Sequence, residues 1–202
     1  MRIYSIADDA PAFSSNEYLI CSGKDAAVVD PSHGLTSVLQ FLGDGDFRLR
    51  YILVTHAHFD HILKIDEYVK NTGAEVIVGK KDKLALSDRR FNLYSAFLGY
   101  DGSYTGPARG VKDGDTLPLG DITISVYDTP GHTQGSVTYT VPGAAFTGDL
   151  MFSGGGYGRC DFPGGDYNKL RISLANIKKM PPDTLIYPGH GDSFRLDGYE
   201  CN

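Results

Sequence analysis

The sequence predicts an α/β fold made of two successive stretches, each running from β-strands into helix. Three observations carry this reading. Short β-prone apolar runs recur along the chain and are punctuated by turn residues. Apolar residues at helical spacing follow some of them. The 25 glycines point to many tight turns and close backbone approaches, not to disorder. At 202 residues the chain supports one substantial core, and it has no linker, low-complexity tract or charge block. Residues 1–202 therefore read as a single domain.

The elements follow in order. Glu17 to Cys21 and Ala26 to Val29 read as strands joined by the hairpin-like turn Ser22-Gly23-Lys24-Asp25. Leu35, Val38, Leu39 and Leu42 keep helical spacing and stop near Gly43. Tyr51 to Val54 has no polar interruption and reads as a buried strand. Ile62, Ile65, Tyr68 and Val69 mark one helical face ending at Asn71-Thr72-Gly73, and Glu75 to Val78 is the next strand. Lys80 to Leu86 reads as a helix, and Asn92 to Arg109 as a long excursion mixing aromatics with glycine and proline. The stretch Phe91 to Tyr100 fits a cover over a site, a subunit contact or a core loop. Strands resume at Thr116 to Leu119, Ile122 to Tyr127, Val137 to Val141 and Ala144 to Thr147. Leu170, Leu174 and Ile177 then suggest a helix, and Leu185-Ile186-Tyr187 a last strand.

Bulk properties exclude some functions. A formal net charge of -6 argues against an extended phosphate-binding surface, so no nucleic-acid partner is expected. No stretch approaches the roughly 20 apolar residues of a membrane span, so no membrane association is expected. The start, Met1 to Ile6, lacks a signal-peptide pattern. Cys21, Cys160 and Cys201 are odd in number and form no CxxC pair, which fits a reducing compartment. The expected location is the cytoplasm; oligomeric state is not legible.

The chemistry concentrates in His56-Ala57-His58-Phe59-Asp60-His61, directly after the strand pattern ending at Val54. Imidazole and carboxylate are ligands for zinc, iron and manganese, and so dense a group is hard to explain by packing. In an extended segment His56 and His58 project to one side, while Asp60 and His61 open the following helix. This differs from HExxH, where two histidines stand one helical turn apart. Three later segments also end strand patterns with a ligand type flanked by glycine: Pro130-Gly131-His132, Thr147-Gly148-Asp149 and Pro188-Gly189-His190-Gly191. A lone histidine is more often a hydrogen-bonded or surface residue, and His33 is read that way. The others, repeated at strand ends beside the cluster, read together as a metal site.

His56-x-His58-x-Asp60-His61 followed by His132, Asp149 and His190 resembles the metallo-β-lactamase superfamily signature. Phe146 to Phe152, Gly158 to Asp166 and Tyr187 to Gly191 resemble its small, single-domain bacterial branch related to glyoxalase II (hydroxyacylglutathione hydrolase). The resemblance implies a four-layer αββα sandwich with metals at one edge of the paired sheets. It implies two divalent ions, zinc first and iron or manganese as alternatives. His56, His58 and His132 would hold the first and Asp60, His61 and His190 the second, with Asp149 bridging. An anionic bridge between two cations is also what electrostatics requires.

The implied activity is hydrolysis by a metal-held hydroxide, with Asp60 and Asp149 as catalytic carboxylates and a small anionic acyl thioester as substrate. Asp30 and Thr55 fit an imidazole-orienting role or a turn and capping role. Arg159 matches a basic residue that contacts a glutathione carboxylate in glyoxalase II, or it pairs with Asp161 or Asp166. Cys160 adjoins the site and reads as an incidental small residue.

The chain also departs from the glyoxalase II pattern. It ends a dozen residues after His190, without that enzyme's helical C-terminal domain. Asp161 stands where that enzyme has a glutathione-binding tyrosine, and Leu63-Lys64 replaces a common glycine pair after His61. The competing readings are a mononuclear-iron enzyme resembling persulfide dioxygenases, a lactonase, and a non-catalytic binding protein. A β-lactamase is disfavoured because no signal peptide is seen and common ones carry cysteine where Asp149 stands; a nuclease is disfavoured by charge.

Overall fold

The computed structural model describes residues 1–7, 13–100 and 102–200, so Cys201 lies outside the described residues. Among the described residues, twelve strands form two six-stranded sheets. The first contains β1 (Arg2–Ile6), β2 (Glu17–Ser22), β3 (Asp25–Val29), β4 (Arg48–Val54), β5 (Glu75–Gly79) and β6 (Ala108–Val111), in that spatial order. The second contains β7 (Thr116–Leu119), β8 (Ile122–Asp128), β9 (Val137–Val141), β10 (Ala144–Gly148), β11 (Leu185–Pro188) and β12 (Phe194–Arg195), also side by side in chain order. The helices are α1 (Leu35–Gly45), α2 (Phe59–Ile62), α3 (Ile65–Thr72), α4 (Arg89–Asn92), α5 (Tyr94–Leu98) and α6 (Tyr167–Ile177).

The two-residue period of a strand builds the layers. In β4, Tyr51 and Leu53 face the second sheet, while Ile52 and Val54 face outward. Ile77 in β5 is likewise inward, with Val76 and Val78 outward. The inward residues join Leu117, Ile124, Tyr139 and Phe146 between the sheets. The outward ones pack with Leu35, Val38 and Leu42 of α1 and with Ile65 and Tyr68 of α3. On the far side, Ala145 and Ile186 meet Leu170, Leu174 and Ile177 of α6. Helix, sheet, sheet and helix follow one another, which is the αββα sandwich. Burial on both faces explains the uninterrupted apolar run in β4.

β3, β4, β5 and β6 run parallel, and β10 is parallel to β11. The carboxyl ends of β3, β4, β8, β10 and β11 lead into Asp30, Thr55-His56, Thr129 to His132, Asp149 and Gly189-His190.

Several local expectations need correction. Lys80–Leu86 is a succession of turns, not a helix. Its Asp82 is buried, and its carboxylate accepts from Ala57 N, Gly135 N and Thr133 Oγ1, so tertiary bonds outweigh helical ones. The helical face expected from Ile62 to Val69 is split into α2 and α3 at Leu63-Lys64, where Lys64 N donates to Pro31 O. β1, β6 and β12 were not expected from the sequence; each is an edge strand, completed by pairing on one side. The excursion after Asn92 contains α5 and β6.

Candidate metal centre

Each functional side chain is delivered by the end of a strand. His56 and His58 lie on the segment that leaves β4, and His58 caps α2, whose first turn carries Asp60 and His61. His132 follows β8, Asp149 follows β10, and His190 follows β11. Gly148 has φ +51°, and a Cβ there would stand 2.4 Å from Thr55 Oγ1. A Cβ at Gly189 would stand 2.3 Å from Asp149 Oδ1. Only glycine lets these two strand ends approach the histidine segment so closely.

The donor atoms form two groups. His56 Nε2, His58 Nδ1 and His132 Nε2 make a triangle with sides of 3.1, 2.9 and 3.1 Å. Asp60, His61 and His190 make the second group, with His190 Nε2 3.1 Å and His61 Nε2 3.5 Å from Asp60 Oδ2. Asp149 stands between them: Oδ2 is 3.5 Å from His132 Nε2, and Oδ1 is 3.4 Å from His61 Nε2 and 3.6 Å from His190 Nε2. All seven residues predicted as ligands are thus brought together.

Hydrogen bonds on the far side of each ring decide what the inner nitrogens carry. His132 Nδ1 faces the Arg159 carbonyl, which can only accept, so Nδ1 bears the proton and Nε2 a bare lone pair. Thr55 Oγ1 gives its proton to Asp30 Oδ2 at 2.8 Å and so accepts from His56 Nδ1 at 3.3 Å. His56 Nε2 is then also a lone pair. His61 Nδ1 donates to Asp30 Oδ2 at 2.8 Å, which leaves Nε2 without a hydrogen-bond partner, as is Asp149 Oδ1. Lone pairs facing one another and a carboxylate in a buried space need a cation between them. Nitrogens sharing one tetrahedral zinc at about 2.0–2.1 Å stand about 3.3 Å apart, close to the triangle found here. The residues present fit a metal in both groups.

Electrostatics agrees. Burial, reinforced by neighbouring histidines, holds His56 well below the ordinary histidine pKa and brings His58 down to about 3. Both are neutral at physiological pH, the form that ligates metal. Burial also works against a charged His61, but Asp60, Asp30 and Asp149 outweigh it and raise its pKa well above the ordinary value. Burial would raise Asp60 and Asp149 too, yet His61 and its neighbours outweigh that and keep both carboxyls low. Burial opposes a charged His190 as well, but Asp60 and Asp149 outweigh it, so a cation bound here would take the place of protons that these carboxylates otherwise hold on the imidazoles.

Asp30 and Thr55, expected near the imidazoles, both reach them. Asp30 adopts φ 53°, uncommon outside glycine, and accepts from Thr55 N, Thr55 Oγ1 and His61 Nδ1. Asp82, not singled out from the sequence, ties Ala57 of the histidine segment to Thr133 and Gly135 beside His132. Glu17 was missed as well; it is buried and accepts from Ser32 N, His33 N and the Tyr68 hydroxyl. Its one sequence signal is a charged residue at the start of an otherwise apolar strand. His33 stays outside the centre, as expected, with Nε2 2.8 Å from Ser15 O.

The centre opens into a cavity of about 470 Å³ whose walls include Phe59, Leu93, Phe97, Phe152, Arg159 and Phe162. Arg159 makes a bidentate pair with Asp161 at 2.9 and 2.8 Å, both side chains well exposed, and lies 4.3 Å over the Phe162 ring. Of the two roles open to it, the pairing with Asp161 is the one present in the structure. Cys160 packs against the cluster under α6. No helix among the described residues is long and apolar enough to cross a membrane.

Comparison with known proteins fits this geometry. A hydroxyacylglutathione hydrolase, GloC of Haemophilus influenzae, is 34% identical over 203 residues, covering 94% of this chain and 91% of its own. A probable metallo-hydrolase of Burkholderia pseudomallei is 36% identical over 156 residues, 71% of this chain but 52% of its own length, about half of that relative. Among solved structures, the BLEG-1 B3 metallo-beta-lactamase superposes with a TM-score of 0.88 at 30% identity, covering 98% of this chain and 95% of its own. ETHE1 from Myxococcus xanthus gives 0.77 at 27% identity, covering 98% and 80%. The family profile of the metallo-beta-lactamase superfamily matches residues 10–190. With that match and the donor geometry together, the chain belongs to the metallo-beta-lactamase superfamily.

Proposed function

We propose that this protein is a metal-dependent hydrolase of small acyl thioesters, acting with two divalent ions, zinc in the first instance. The observation that carries the reading is Asp149, whose two oxygens face the two donor groups at the floor of an open cavity. His56, His58 and His132 would hold one ion, Asp60, His61 and His190 the other, and Asp149 both. When bound, such ions supply a water that ionises near pH 7 and an electrophilic contact for a carbonyl oxygen. Asp60 lines the cavity as an ionised carboxylate, placed to accept a proton at its oxygens. Asp30 and Thr55 fix the proton positions on His61 and His56, so the inner nitrogens stay available. A thiolate leaving group, with an ordinary pKa of about 8.5, asks little acid help from the protein. The similarity to GloC supports this substrate class.

A lactone offers the same carbonyl chemistry. A β-lactam is the second reading, and the superposition on BLEG-1 favours it. A mononuclear-iron oxidoreductase would leave the Asp60, His61 and His190 group unused, although it is complete here. Protein loaded in turn with zinc, iron and manganese, analysed for metal content, then assayed on thioesters, lactones, β-lactams and persulfides, decides among these. Thioester turnover at two metals per chain is the expected result. Turnover of β-lactams alone, or one iron per chain with persulfide-dependent oxygen uptake, overturns it.

A further inference from the structure

We infer that the substrate carries an uncharged apolar group, held by an aromatic wall that begins on the ring of His58. The inference rests on the acyl-hydrolysis reading and names its substrate class. Phe162 stands edge-on to His58 with ring centroids 5.8 Å apart, Phe97 edge-on to Phe162 at 5.9 Å, and Phe59 stacks on Phe97 at 5.3 Å. The three phenyl rings thus continue directly from a metal-facing imidazole, and all line the same cavity. Phe97 is 48% exposed, so apolar ring surface is presented to whatever enters.

Charge points the same way. Among the described residues, Arg159 is the only guanidinium or ammonium lining the cavity, and Asp161 occupies it through both oxygens. A carboxylate on the substrate would share Arg159 with Asp161 or displace it, and in either case would meet the negative charge of Asp161. An uncharged hydrocarbon or aryl group avoids that charge and covers the exposed ring surface of Phe97. The sequence expectation of an anionic substrate rested on Arg159, and its pairing with Asp161 weakens that support. The apolar group is either the acyl substituent or the thiol side, since both flank the reacting carbon.

The test uses two matched series on the metal-loaded protein. One varies the acyl group (acetyl, butanoyl, hexanoyl, phenylacetyl, succinyl) on a fixed neutral thiol. The other varies the thiol at fixed acetyl. In at least one series kcat/KM should climb on the order of 10-fold or more from the smallest to the bulkiest apolar member. Succinyl should fall below butanoyl, and Phe97→Ala should collapse the apolar-to-acetyl ratio. Asp161→Asn should raise the relative rate on succinyl. In parallel, ketone analogues with a methylene in place of sulfur, which cannot be hydrolysed, are titrated calorimetrically. Two flat series together with analogue affinities that ignore apolar size overturn the inference while leaving hydrolysis intact. No turnover with analogue affinity that climbs with apolar size overturns hydrolysis and leaves the wall standing. A succinyl preference over butanoyl overturns it outright.

Discussion

The two donor groups of the centre differ in charge, burial and support. The first is three imidazoles, all buried, with Asp149 Oδ2 3.5 Å from His132 Nε2. The second mixes Asp60 with His61 and His190, and the His190 side chain is 41% exposed. The first is braced by Asp82, which ties the histidine segment to the turn carrying His132. The second is braced by Asp30, which bonds His61 directly and reaches His56 of the first only through Thr55. The first group therefore depends on two loops staying in register, the second on the carboxylate of Asp60. Neutral rings gain little from Coulomb attraction, so their affinity comes from geometry; a carboxylate-bearing group attracts a cation even when its geometry relaxes.

The largest expected effect abolishes the comparison altogether. Asp149→Ala removes the one residue common to both groups; thioester turnover should fall on the order of a thousandfold, as loss of several kcal/mol of charge stabilisation implies. Metal analysis should show less than two ions per chain. Retention of both ions at full activity would remove Asp149 from its bridging position.

His190→Ala and His132→Ala come next. Each should leave about one ion per chain, the first sparing the imidazole group and the second the carboxylate group. Loss of both ions in either variant would mean that the groups act as a single cooperative unit.

The braces should separate the groups more gently. Asp82→Asn is expected to weaken binding in the imidazole group, and Asp30→Asn in the carboxylate group, each by about 10- to 100-fold. Competition with a chelator followed by cobalt spectra reads each group separately. Equal weakening of both groups by either variant would break the assignment of one brace to each.

The smallest effect concerns Glu17, next to the Asp30 loop and outside both groups. Burial is the main cause that pushes its carboxyl up from 4.5 to about 7, against the hydrogen bonds from Tyr68, His33 and Ser32. A raised carboxyl stays protonated in the fold while the unfolded chain ionises. Stability should therefore be fullest below pH 4.5 and be lost, by about 1.4 kcal/mol per unit, as pH rises to about 7. Melting curves of Glu17→Gln between pH 5 and 8 should be flatter than those of the parent; parallel curves would refute a buried titration at this residue.

How much was legible in advance follows the range of the interactions involved. Strands such as Tyr51 to Val54 and the helix through Leu170, Leu174 and Ile177 announce themselves by local period, and both form. The seven ligand types were legible because glycine-flanked histidine and aspartate at strand ends have few other uses, and the cluster at 56 to 61 is local in sequence. The edge strands β1, β6 and β12 carry weak patterns because each is bonded to a strand on one side only. Lys80–Leu86 looked helical because Asp82's partners at Ala57, Thr133 and Gly135 lie far away in the chain.

By itself, then, the sequence determined the fold class, the family resemblance and the roster of candidate metal ligands, because these rest on periodicity and on residue chemistry. Tertiary structure alone decided which brace supports which group and which nitrogen of each ring faces inward. It also decided whether Arg159 is available: the pairing with Asp161 and the stacking over Phe162 are choices between competing partners at similar reach. Such choices depend on distances of a few ångströms that the order of residues does not encode locally.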